Sequence, residues 1–238
     1  MFLPRDDGVL PIYPVAMRTI LASLALPLAL LAAGDPAPAP TRVGYAWPLP
    51  TCVVSGEPLG DKPVVKVLED AKDPSVNGRE VRFCCEKCVS TFEANRAKYL
   101  KQADEAIIAR ELPSYPAIHC VVMPDEKLPA AGTPEAKEVH QVVVGNQLVR
   151  VCCAQCERKV KRNPAAYLGK LQTAIAAAQV PTYPMKTCPI SGRELPATPT
   201  DTLIAGRLVR FCCAGCQATA ERDTAATLAK LDAAAKAK

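Results

Sequence analysis

From residue 45 onward, the apolar and polar positions of the chain repeat one scheme three times. In each repeat a short run alternates, with Val81 and Phe83 against Arg82, Val149 and Val151 against Arg150, and Val209 and Phe211 against Arg210. A period of two marks a β-strand. Ahead of the run stands a turn pair: Gly145-Asn146 after Val142-Val143-Val144, with Asn77-Gly78 and Ala205-Gly206 in the same place. The run is therefore predicted to be the second strand of a hairpin. Beyond it the period becomes helical, because Phe92, Val160 and Ala220 follow Cys88, Cys156 and Cys216 at helical spacing. Asn95, Asn163-Pro164 and Asp223 then read as N-caps of a second helix. That helix carries Tyr99-Leu100 and Ile107, Tyr167-Leu168 and Leu171, or Thr227-Leu228 and Leu231. The expected fold class is α+β, as three tandem small units of turn, β-hairpin, short helix and longer helix. Each opens on an aromatic-proline pair, Trp47-Pro48, Tyr115-Pro116 or Tyr183-Pro184, and the units are bounded at 45–112, 113–180 and 181–238. Arg82, Arg150 and Arg210 suit an exposed strand face; offsetting thiolate charge or contacting an anion are the alternatives.

The first part of the chain reads differently. Residues 1–16 carry no pattern, and from Met17 a basic start leads into the apolar run Ile20–Ala33 and then Gly34. That order suggests a secretory signal starting at Met17, with cleavage near Gly34–Asp35. A bilayer span takes about 20 apolar residues and this run is shorter. Residues 1–34 are thus expected to be an N-terminal extension and signal peptide, and 35–44 a Pro/Ala linker. The mature protein is expected in the periplasm or secreted, with no membrane attachment.

All 12 cysteines of the 238-residue chain lie in the repeats. They are Cys52, Cys84, Cys85 and Cys88; Cys120, Cys152, Cys153 and Cys156; and Cys188, Cys212, Cys213 and Cys216. The leading cysteines recur every 68 residues, too long a period for a solenoid. Units of roughly 60 residues bury little core and commonly rely on a metal or disulfides. The first cysteine of each pair ends a strand and the last sits one helical turn on, so Cys84 and Cys88 can share a face. A helix N-terminus favours thiolates there, and Cys52 arrives from a separate turn. Converging thiolates suit Zn²⁺, Cu⁺ or a heavier thiophilic ion. The vicinal Cys85, Cys153 and Cys213 complete the site, pack as core thiols or act as reactive neighbours. A disulfide framework is the competing reading for an exported chain. His119, His140 and Met123 are further donor candidates in the second unit, against surface or gap-filling roles.

Charge and composition narrow the classes further. A net charge of +5 with only 5% aromatic residues lacks the dense basic, stacking surface of a nucleic-acid binder. No catalytic constellation recurs, so the protein is expected to be no enzyme.

The pattern Cys-x2-Ser-Gly, then Gly-Arg-x-Val-Arg-Phe-Cys-Cys-x2-Cys, then a helix bearing Tyr-Leu, resembles the YHS/TRASH-type heavy-metal-binding domains, in three tandem copies. The resemblance implies a treble-clef-like fold for each unit. It implies ligands Cys52, Cys84 and Cys88, then Cys120, Cys152 and Cys156, then Cys188, Cys212 and Cys216, for up to three Zn²⁺ or Cu⁺ ions. The expected function is metal buffering, trafficking or resistance, with a recipient protein as a candidate partner. A metal- or disulfide-stabilised interaction module and a thiol–disulfide redox protein are the alternatives. Unit two departs from the pattern, with Met123-Pro124 where the others have Ser-Gly.

Overall fold

The computed structural model describes residues 41–116 and 118–237. The expected signal peptide and residues 35–40 of the expected linker lie outside the described residues. Repeat one holds β1 (Val64–Val67), β2 (Glu80–Phe83), α1 (Glu86–Ala94) and α2 (Arg96–Glu111). Repeat two holds β3 (His140–Val144), β4 (Gln147–Val151), α3 (Ala154–Arg162) and α4 (Pro164–Gln179). Repeat three holds β5 (Thr200–Ile204), β6 (Arg207–Phe211), α5 (Ala214–Arg222) and α6 (Thr224–Lys236). Each strand pair is an antiparallel hairpin, with Val64 opposite Phe83, His140 opposite Val151 and Thr200 opposite Phe211. The fold is α+β, as the alternation and helical spacing predict. Among the described residues no helix is long and apolar enough to cross a membrane.

Two hairpins close as expected. Gly145 and Asn146 have φ of 51° and 62°, and Ala205 and Gly206 have 49° and 71°. Positive φ at both central residues is the tight turn that matches strand twist. The first hairpin differs. There Asn77-Gly78 lies at the end of a loop, with Leu68 N–H bonded to Arg79 O and Gly78 N–H to Leu68 O. Repeats one and two therefore match in length by different insertions. Val64 to Cys84 is 20 residues where Thr200 to Cys212 is 12, and Cys120 to His140 is 20 where Cys188 to Thr200 is 12.

Asn95, Asn163 and Asp223 all stand at the expected N-cap positions, with Pro164 at the start of α4, but only one of the three caps through its side chain. Asp223 Oδ1 accepts from Ala226 N–H at 2.9 Å, whereas Asn95 and Asn163 make no side-chain cap bond. Those two also end the short helices, donating their N–H to Phe92 O and Lys159 O.

The apolar residues fill one core per repeat. Trp47, Phe83 and Phe92 are fully buried in the first, with Phe83 edge-on to Phe92 at 5.3 Å between centroids. The core of repeat two also takes in Leu203 and Leu208 of repeat three. The strand arginines are a correction. Arg82 and Arg150 are buried rather than solvent-facing, and Arg210 is half-buried. The physical reason is that neighbouring segments cover that face. Arg82 Nε pairs with Glu80 at 2.8 Å, and its Nη1 and Nη2 donate to the carbonyls of Arg222 and Glu221 across the molecule. Arg150 lies over the Tyr115 ring and bonds Pro129 O at 2.8 Å. Arg210 pairs with Asp201 at 3.1 Å.

Contacts between repeats run all the way round. Glu111, at the end of α2, accepts from Leu148 N–H and Gln147 Nε2. Gln179, at the end of α4, accepts from Leu208 N–H and donates to Gly206 O. Thr224 of repeat three donates to Trp47 O of repeat one. Residues 41–44 are docked as well: Arg42 pairs with Glu80 and Glu221, and Tyr45 N–H bonds Gly145 O at 2.8 Å. Only glycine fits at 44, with φ +88° and a would-be Cβ 2.4 Å from Gly145 O. The described residues belong to one compact unit, Ala39–Lys238.

Candidate metal centres

The same local structure is built three times. In repeat one a tight turn presents Cys52, with Gly56 N–H on Cys52 O, Cys52 N–H on Glu57 O and φ +72° at Gly56. Val53 N–H bonds Arg82 O at 3.3 Å, which places this turn beside the end of β2. There the chain leaves the strand after Phe83, bends at Cys84, is extended at Cys85 and enters α1 at Glu86, so Cys88 falls in its first turn. The expected convergence follows. Cys52, Cys84 and Cys88 offer sulfurs that all lie within 4.8 Å of one another, as do Cys120, Cys152 and Cys156, and Cys188, Cys212 and Cys216. The last two sulfurs of each set are 3.6 Å apart in all three repeats. The leading cysteines are buried, while Cys84, Cys152 and Cys212 are half-buried.

Cys85, Cys153 and Cys213 stand outside these sets at the rim. Cys85 and Cys213 are exposed and Cys153 half-buried. Yet Cys85 Sγ is 3.8 Å from Cys84 Sγ and 3.7 Å from Cys88 Sγ, and Cys213 Sγ is 3.9 Å from Cys212 Sγ. Four sulfurs about 2.3 Å from one tetrahedral ion stand ~3.8 Å apart. Cys85 meets that spacing to Cys84 and Cys88 but is not in the set with Cys52, so it stands at the edge of the cluster. All twelve cysteines are free thiols, and the separations above are far beyond the ~2.0 Å of a disulfide.

The surroundings sort the thiols by acidity. Burial raises the pKa of Cys52, but the Ser55 hydroxyl and amide and the N–H groups of Cys84 and Val54 outweigh it and bring it down to about 6. Cys188 is likewise brought to about 6, against burial, by the N–H groups of Ser191 and Cys212 and the Ser191 hydroxyl. Cys120 is lowered, again against burial, by the N–H groups of Cys152, Val122 and Met123. At the helix starts the Cys156 N–H and thiol lower Cys153 to about 7, and the matching groups of Cys88 and Cys216 lower Cys85 and Cys213. Burial and the neighbouring thiols push Cys88 and Cys216 up to about 12, and Cys156 is raised in the same way. Each cluster therefore pairs a cysteine whose pKa is lowered with one whose pKa is raised, and an ion held there would displace the proton of the second.

The remaining sequence candidates fall unevenly. Neither histidine belongs to a sulfur set: His119 is exposed, and His140 Nδ1 is 2.9 Å from Glu157 Oε2. Met123 is half exposed beside the second set. The strand arginines bond carboxylates and carbonyls, as described above. Three contacts were not read from the sequence. Ser55 Oγ is 3.5 Å from Cys84 Sγ, Ser191 Oγ is 3.3 Å from Cys212 Sγ, and Arg193 Nη2 is 3.3 Å from Cys212 Sγ. The Ser-Gly pairs signalled the first two only as turn residues, and Arg193 carried no signal.

The chain matches no protein-family model, no curated protein and no solved structure.

Proposed function

We propose that this protein is an exported, non-enzymatic binder of soft metal ions, taking up to three Zn²⁺ or Cu⁺ and serving metal buffering, trafficking or resistance. The observation that carries this reading is the triple convergence of cysteine sulfurs within 4.8 Å. Thiolate donors select soft and borderline ions. The half-buried middle cysteines and the rim thiols support exchange of the ion with a recipient over a closed structural role. The turn, strand end and helix start around each set also support kinship with the YHS/TRASH-type domains. Elemental analysis of protein isolated without added metal, with its free thiols counted, tests the reading. About three equivalents of a thiophilic ion are expected; a metal-free protein with six disulfides would overturn it. A competing chelator separates an exchangeable ion from a purely structural one, which would stay bound.

A further inference from the structure

The second centre has a different entrance. The bridges that close the cysteine turns join Thr51 to Pro58 and Thr187 to Glu194, seven residues apart, but His119 to Lys127, eight apart. The turn bond shifts to match, from Cys52 N–H on Glu57 O and Cys188 N–H on Arg193 O to Cys120 N–H on Glu126 O. The second turn is one residue wider. At its tip, Met123 and Pro124 replace the Ser-Gly pair. In the first and third centres that serine hydroxyl lies against the middle cysteine. In the second, the backbone N–H of Met123 faces Cys120, and its side chain is 50% exposed. A cavity of about 480 Å³, with His119, Cys120, Pro124 and Lys170 in its wall, opens beside it.

A hydroxyl and a thioether do different chemistry at such a rim. The hydroxyl can donate a hydrogen bond to a thiolate whichever ion that thiolate holds. A thioether has no proton to donate and is a soft ligand that selects Cu⁺. An unbranched methionine chain with water on one side can turn onto the ion without disturbing the core.

We propose that the second centre is a Cu⁺ site, in which the Met123 thioether joins Cys120, Cys152 and Cys156 as a fourth soft donor. This rests on the reading of the cysteine sets as ion sites. It makes the three centres unequal: the second prefers Cu⁺, while the first and third are set apart by their hydroxyl-braced thiolates.

The test titrates the reduced, metal-free full chain anaerobically with Cu⁺ against a chromophoric Cu⁺ chelator, and separately with Zn²⁺. One of three Cu⁺ equivalents is expected to resist the chelator about tenfold better than the others. Met123→Ser should erase that difference, and Ser55→Met should create a second resistant equivalent. Circular dichroism of both variants reports that the fold is intact. Three equal Cu⁺ equivalents in the unaltered protein, or a resistant one that survives Met123→Ser, would overturn the inference and leave the ion-binding reading standing. Binding of neither ion would overturn both.

Discussion

At the three cysteine clusters the rim cysteine takes almost one backbone geometry, with φ of −161° at Cys85, −159° at Cys153 and −166° at Cys213. At the seams between successive repeats, the matching helix ends carry different groups, a carboxyl at Glu111 and an amide at Gln179. Glu111 accepts Leu148 N–H at 2.8 Å and must be given a second donor, Gln147 Nε2 at 2.6 Å. Gln179 accepts Leu208 N–H at 2.7 Å and supplies its own donor to Gly206 O at 3.1 Å. The clusters hold their geometry because several sulfurs must aim at one point. A seam only has to satisfy one backbone N–H, which either side chain achieves; the amide of Gln179 does so with both of its polar atoms bonded, whereas Glu111 Oε1 and Gln147 Oε1 stay buried without a partner.

The largest test of this contrast is at a cluster. Cys84→Ser with Cys88→Ser should remove one of about three metal equivalents, read by elemental analysis, and leave the other two. Loss of all three would show that the seams transmit the damage. Metal removal comes next. With each core small, chelation of the reduced protein should lower its melting temperature, because ion binding and folding are coupled. An unchanged transition would put the stability in the seams and cores alone.

Glu111→Ala strands the Leu148 N–H and takes one of two acceptors from Gln147 Nε2, and should cost about 1–3 kcal/mol in chemical denaturation. Glu111→Gln tests the seam more finely. Burial raises the Glu111 pKa from 4.5 to about 8, so between those values the folded chain holds a proton that the unfolded chain releases. Its contribution is fully present below about pH 4.5, declines as pH rises and is lost by about pH 8. In metal-free protein, Glu111→Gln should flatten that decline and match the amide seam of Gln179. An unchanged profile would assign the pH dependence elsewhere. The smallest effect is expected at the rim, where Cys85→Ser should keep the metal stoichiometry and shift affinity by about tenfold or less; loss of an equivalent would make Cys85 an essential ligand.

Much of each cluster was legible because its determinants are local. A strand end, an i, i+4 pair and a tight turn are short-range patterns, and Cys84, Cys88 and Cys52 met as their spacing implied. Val81, Phe83, Phe92 and Ile107 are buried as their periodicity indicated. The arginines misled because alternation reports which side of a strand a residue occupies, not what covers that side. Asn77-Gly78 misled because its turn signal is equally at home at the end of a longer loop.

The sequence by itself determined the element types, the threefold repetition and the soft-donor sets, since all of these depend on neighbours within one repeat. Only the tertiary structure decided what lies between repeats. It buried Arg82 against carbonyls 139 and 140 residues away, brought Gly44 onto Gly145, and left Glu111 in a protein interior. Those contacts depend on how the repeats turn toward one another, and no short-range pattern encodes that orientation. The burial that raises the Glu111 pKa exists only once the repeats have met.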